Sequence, residues 1–228
     1  MRILALDSST DTLSVACGDG ATFAVREERA GPLHAERVLP RVREVLAECG
    51  YALGALDAIA FGAGPGAFTG VRIACGIAQG LSLGTGVPLV PVGTLEALAQ
   101  EAWRAHGATR VVACLDARMR EVYAASYVRD DEAWRPTHAP AVSAPAGVVA
   151  DAGAFGAGDG FAVYPAIVAH LGLARHDATL RPTARAVGEL AVPLVRVGAT
   201  VTARDAEPMY VRHRVALTAH ERAAGARM

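Results

Sequence analysis

The chain opens on an apolar run, RILALDSS (Arg2–Ser9), that stops at an acid and two hydroxyls. TLSVACGDG follows with partial alternation and closes on a Gly-Asp-Gly turn, after which ATFAVREER resumes the pattern. Short β-prone runs separated by turn residues predict an antiparallel three-strand meander. The period then changes. In HAERVLPRVREVLAECG, Ala35, Val38, Leu39, Val42, Val45, Leu46 and Cys49 fall on one helical face, and Gly50 is placed to end the helix. Pro40 is expected to bend or interrupt its first turns. LDAIAFGAG reads as a buried strand, Phe68 to Leu83 as a helix, and VPLVPVGT as a short strand. TLEALAQEAWRAH reads as an amphipathic helix capped by Thr94. Three strands, then helix, strand, helix, strand and helix describe an α/β lobe with a mixed sheet.

At Arg110 the opening pattern starts again. RVVACLDARMREVYAASYVRD carries an apolar strand ending in Asp116, a short turn and another strand, so Asp116 stands where Asp7 stood. This is a weak internal repeat of one supersecondary unit. Beyond it the pattern is less regular. PTHAPAVSAPAG reads as loop, whereas YPAIVAHLGLA and TARAVGELAVPLVRVG read as helices, the second interrupted by Pro193.

GPGAFTGVR (Gly64–Arg72) sits between a strand and a helix, where glycine-rich turns often cradle phosphate. Packing is the competing explanation. Gly64 and Gly66 permit unusual backbone angles around Pro65, and Thr69 or the turn before it can cap the helix. Within the helix Gly70, Ala74 and Ala78 are spaced four apart, as are Gly76 and Gly80. Little polar surface remains beyond Arg72, Gln79 and Ser82, so the helix is expected to be covered on two sides. One cover is its own sheet; the other is a neighbouring domain or a second chain.

Composition narrows the chemistry. The sequence contains no lysine, which removes the Walker A loop, Schiff-base catalysis and the lysine of protein kinases. The four cysteines (Cys17, Cys49, Cys75, Cys114) form no C-x-x-C and are expected to be free, buried thiols. A net charge of -1 offers no general attraction to RNA or anionic membranes. No histidine has a partner at H-x-x-x-H spacing and no G-x-S-x-G occurs, which speaks against a metal site and a hydrolase nucleophile. His34 is then a surface residue at a helix start. Asp7, Ser8, Ser9 and Thr10 could hold Mg²⁺-bound phosphate, or Asp7 could hydrogen-bond its own turn. Asp116, Arg118 and Glu121 read as a hairpin salt bridge or as charges of a cleft. The first residues lack a signal-peptide core, and a cytoplasmic location is expected.

Four stretches in this order, LALDSST, GPGAFTGVRIA, LDARMREVYAA and EPMYVR, resemble the bacterial TsaB (YeaZ) family from Met1 to about Leu217. The resemblance implies the two-lobed fold of the actin, sugar-kinase and Hsp70 superfamily, α/β with duplicated mixed sheets and flanking helices. The lobes would span 1–106 and 107–217, followed by a disordered tail, 218–228. It implies a part in forming N6-threonylcarbamoyladenosine at position 37 of ANN-decoding tRNAs, with TsaD, the ATPase TsaE, and TsaC or Sua5 supplying the adenylate. The role implied is a non-catalytic scaffold that activates TsaD, homodimerises when alone, and meets tRNA through the complex. TsaD carries a metal-binding histidine pair on the helix matching the one that starts at His34. Here the partner position holds Val38, so no metal is expected. No tightly bound cofactor is implied, only weak ATP or ADP beside Asp7, Ser8, Ser9, Thr10, Gly64 and Gly66. The implied partner interface comprises Phe68, Gly70, Val71, Ala74, Cys75 and Ala78, with His34 and Arg41. The rival reading is a small ATP-dependent kinase or ATPase of the same superfamily. Its weakness is that GAFGAGDG (Gly153–Gly160) is the only other glycine-rich candidate for an adenosine site.

Overall fold

The computed structural model describes residues 1–131 and 133–211; the tail expected at 218–228 lies outside them. Two five-stranded sheets carry the fold. In the first, β1 (Ile3–Asp7), β2 (Thr12–Gly18) and β3 (Phe23–Arg29) form the antiparallel meander. β4 (Ala58–Gly64) pairs parallel to β1, and β5 (Leu89–Gly93) parallel to β4, giving the order β3-β2-β1-β4-β5. Every residue of β1 and β4 is buried, which is why both read as unbroken apolar runs. α1 (His34–Cys49) and α2 (Phe68–Thr85) follow β3 and β4 and pack on the outer face of this sheet.

α3 (Thr94–His106) leads to the second sheet, formed by β6 (Arg110–Asp116), β7 (Val122–Asp130), β8 (Ala133–Ser143), β9 (Phe155–Ala157) and β10 (His176–Asp177). Read from its other edge, its order is β8-β7-β6-β9-β10, the same as that of the first sheet. The repeat seen at Arg110 is therefore a duplicated sheet topology. β8 corrects the loop reading of PTHAPAVSAPAG. Pro136 and Pro140 sit in a strand because β8 is an edge, where a missing N–H need leave no ladder bond unmade.

Among the described residues the remaining α-helices are α4 (Gly160–Val163), α5 (Ala166–His170) and α6 (Ala184–Arg196). α6 comes from the second half of the chain but packs on β1, β2, β4 and β5 of the first sheet. α3, from the first half, packs against β6, β7 and β9 as well as α6. The two helices thus form an inner layer shared by both sheets. One buried cluster runs through it, joining Ile3, Ala5 and Val90 to Leu98, Val111, Leu115, Val187 and Ala191. The sheets separate between residues 106 and 110, whereas the packing does not.

Local details differ from expectation at helix ends and at α1. α1 runs through Pro40 without interruption, and its buried stripe is His34, Val38, Val42 and Val45, with Ala35 and Leu39 exposed. Neither Thr69 nor Thr94 caps its helix. Thr94 Oγ1 instead accepts the Gly64 N–H at 2.9 Å, tying α3 to the end of β4. Thr183 does cap α6, accepting from the Ala186 N–H at 3.1 Å.

Candidate functional site

The turn after β1 and the loop before α2 pack directly on each other. Asp7 is fully buried; its Oδ1 accepts the Ser9 N–H at 3.0 Å and the Ser9 hydroxyl at 2.8 Å. Asp7 Oδ2 has no hydrogen-bond partner among the described residues, and burial pushes the carboxyl pKa up to about 6. The Ser8 hydroxyl donates to the Gly70 carbonyl at 2.7 Å, and the Ala67 N–H to the Ser9 carbonyl at 2.7 Å. A Cβ on Gly70 would collide with the Ser8 carbonyl, and one on Gly66 would stand 2.6 Å from that of Ser9. The glycines are required by this close approach of two backbones.

The six residues read as a nucleotide site are thus brought together, in two layers. Ser9, Thr10 and Gly66 line a cleft of about 900 Å³ between the lobes, while Asp7, Ser8 and Gly64 are buried behind them. Asp7 makes the turn-closing bond of the simpler reading. Its geometry does not fit a Mg²⁺-phosphate ligand, because one oxygen is taken by Ser9 and neither is exposed. The far wall carries Asp116 and Asp159. Asp116 Oδ1 accepts from the Arg118 N–H at 2.9 Å, and Asp116 Oδ2 pairs with the Arg118 guanidinium at 3.1 Å, the expected hairpin pair. Asp159 Oδ1 accepts the Asp116 N–H at 3.0 Å. Asp159 lay unrecognised inside GAFGAGDG; its position after a strand, as in the Asp7 unit, was the available signal.

His34 is a correction: only 5% of it is exposed. It starts α1 facing inward, its Nε2 without a partner among the described residues. Burial pushes the imidazole pKa down. The position a second metal ligand would need is held by Val38, which is in the core. The described residues include no group of three or more His, Cys, Asp or Glu that could hold a metal, and the residues at His34 do not fit one.

The expected interface on α2 is corrected in the same way. Gly70, Val71, Ala74, Cys75 and Ala78 are buried within the chain itself. Ala74, Cys75 and Ala78 pack in the core cluster with Ile59 and Phe61 of β4. A second cover comes from the chain's own segment 201–210. Val201 bridges Leu89, Gln79 Nε2 donates to the Ala203 and Ala206 carbonyls at 2.9 and 3.0 Å, and the Met209 N–H donates to the Ala63 carbonyl at 2.7 Å. This placement of EPMYV (Glu207–Val211) was not readable from its residues. Arg41 is also engaged, bridging Glu28 at 2.9 Å and Glu44 at 2.7 Å. Of the residues expected on α2, Phe68 stays exposed, and the outward face continues from it through Arg72, Gly76, Gly80 and Leu83, flanked by half-buried Ile73 and Ile77. Leu83 is 78% exposed, and nothing lies within 4 Å of a Cβ at Gly76 or Gly80. At its N-terminal end the Arg72 guanidinium lies 3.5 Å from the Phe68 ring centre and donates to the Tyr210 hydroxyl at 2.8 Å.

Comparison with known proteins agrees with this architecture. The family described as TsaD, tRNA N6-adenosine threonylcarbamoyltransferase, matches residues 25–163. The tRNA threonylcarbamoyladenosine biosynthesis protein TsaB of Escherichia coli is 41% identical over 95% of this chain and 96% of its own. That of Haemophilus influenzae is 38% identical over 94% and 95%. The solved structure of YeaZ from Pseudomonas aeruginosa, 43% identical, superposes with a TM-score of 0.86 over 92% of this chain and 99% of its own. With the duplicated sheets, the turn packed on the glycine loop and this similarity along nearly the whole length, the chain belongs to the TsaB (YeaZ) family.

Proposed function

We propose that this protein is a non-catalytic subunit of the bacterial apparatus that forms N6-threonylcarbamoyladenosine in ANN-decoding tRNAs, and that it binds and activates TsaD. The observation that carries the proposal is the outward face of α2. Ile73, Ile77 and Leu83 surround a floor of Gly76 and Gly80 that the chain's own strap leaves uncovered. Small residues there let another backbone come close, while the apolar neighbours gain from leaving water. TsaD suits this face because the TsaD family matches more than half of this chain, so a related helix is available to pack against α2 in a pseudo-symmetric pair. The same face would pair two copies of this chain when TsaD is absent. TsaE joins the assembly, and tRNA is met through it. The buried Asp7 and Ser8 support a scaffold role, since they are not offered to a substrate. Any ATP or ADP held by this chain would bind weakly.

Reconstitution tests the reading. Modification of tRNA by TsaC, TsaD and TsaE is expected to require this chain, and the Gly76→Arg variant is expected to fold yet fail to support it. Equal modification with and without the chain would overturn the assignment.

A further inference from the structure

The cleft between the lobes is within the size range of small-molecule sites. Its charged lining is balanced. Arg29 pairs with Asp11 at 2.7 Å, Arg118 with Asp116 at 3.1 Å, and Arg181 approaches Asp159 at 3.8 Å. The Arg29 and Arg118 side chains are largely exposed, and such pairs are weak enough to be exchanged for a ligand's charges. Asp11 is held below its usual pKa mainly by Arg29, with Arg181 contributing, and it also acts on His34. Those four groups therefore form one cluster spanning the lobes. Apolar surface from Val71, Ile73, Leu115 and Val163 lies beside it.

His34 breaks the balance. It lines the cleft, and its Nε2 is buried without a partner among the described residues. Burial disfavours the charged ring, and the Asp11 main chain favours a proton on the ring, so in the neutral tautomer protonated toward Asp11 the unpartnered Nε2 is an acceptor. A buried acceptor without a donor is costly, and a ligand bringing an N–H recovers that cost. A polyphosphate does not suit the site: it would meet three carboxylates, and the sequence supplies no lysine. A group carrying both charges does.

We propose that the interlobe cleft binds a free zwitterionic amino acid with an apolar side chain. Its ammonium donates to His34 Nε2 beside Asp11, its carboxylate meets the Arg29 and Arg181 guanidiniums, and its side chain lies on the apolar wall. L-Phenylalanine is the probe, compared with phenylalaninamide, which lacks the anion, with N-acetyl-L-phenylalanine, which lacks the cation, and with Mg-ATP. Calorimetry and saturation-transfer NMR on the full chain are expected to show saturable binding of phenylalanine. Each blocked form should bind at least about tenfold more weakly, the loss that one charge-assisted bond represents. His34→Gln, which keeps an acceptor, should retain binding, whereas His34→Phe should lose it by a similar factor. Ala162→Trp, an exposed position on the cleft wall, should abolish binding without touching the core, and it serves also if His34→Phe does not fold. No saturable binding up to about 10 mM, equal binding of all three phenylalanine forms, or competitive displacement by tighter-binding ATP would each overturn the proposal.

Discussion

Asp7 shows how a motif residue can be structural. A carboxylate at a strand end, followed by hydroxyls, has the same sequence signature whether it faces a ligand or its own turn; the two differ only in what packs on it. Here the α2 loop closes over it, and burial raises its pKa from 3.8 to about 6. The proton is held more tightly in the folded than in the unfolded state. The associated stability is therefore fully present below pH 3.8 and is lost as pH rises through about 6. The shift corresponds to about 3 kcal/mol. Glu96, pushed up to about 7 by burial, extends the decline toward neutrality. Carboxyls held below their usual range by arginine or hydrogen-bond partners, such as Asp11, Glu28, Glu44 and Asp177, act in the opposite sense and are common to both proteins. Denaturant unfolding is therefore expected to show the stability of wild type relative to Asp7→Asn falling as pH rises to about 6. Parallel profiles for the two proteins would show that Asp7 does not carry the proton. The buried His34 ring was hidden for a related reason: its inward orientation is decided by how α1 docks, and a histidine at a helix start carries no mark of that.

At the scale of the element, α2 contains two series of small residues, Gly70-Ala74-Ala78 and Gly76-Gly80, and their spacing was legible. Which series faced inward was not, because a helix apolar all round has no polar stripe to orient it. The structure separates them. Gly70 is pressed against the Ser8 carbonyl, whereas Gly76 looks into open space. Gly70→Ala must push two backbones apart and is expected to cost about 1–3 kcal/mol. Gly76→Ala relieves the helix of a flexible residue without a clash and is expected to stabilise the isolated chain by about 0.5–1 kcal/mol. Thermal and denaturant melts of the two variants check both signs; a stabilising Gly70→Ala or a strongly destabilising Gly76→Ala would reverse the facing of the helix. The same geometry decides how to probe association. Ala74 is 1% exposed, so an arginine there would damage the fold before reaching any partner. Gly76→Arg places its charge on the outward face, and sedimentation is expected to show a folded monomer with TsaD binding weakened about a hundredfold or more. A Gly76→Arg protein that associates as wild type does would remove α2 from the interface.

For the molecule as a whole, the sequence made the duplication visible through one repeated strand-Asp-turn-strand unit, and the matching strand orders extend it to both sheets. The interlocking of the halves was not visible, since amphipathicity says that α6 has a face to bury and not which sheet receives it. α6 lies on the first sheet, and the contact is specific. The Ala184 N–H donates to the buried Ser14 hydroxyl at 2.8 Å, and Gln100 of α3 donates to Glu189 of α6 at 2.8 Å. A Cβ at Gly188 would come within 2.6 Å of the Phe23 ring, so the helix sits close against the sheet. A chain ending at residue 106 keeps β1 to β5 but strips α6 from Ala5, Ala60 and Val90, whose side chains share the core cluster with Val187 and Ala191. Uncovered apolar area of that extent, in a protein stable by about 5–15 kcal/mol, removes most of the margin for folding. Residues 1–106 alone are therefore expected to lack a cooperative unfolding transition and near-ultraviolet circular dichroism. Joining residues 180–211 to them through a flexible linker is expected to restore both. If residues 1–106 unfold cooperatively at the same denaturant midpoint as the full chain, the inner layer is not shared in the energetic sense, and the first lobe stands without α6.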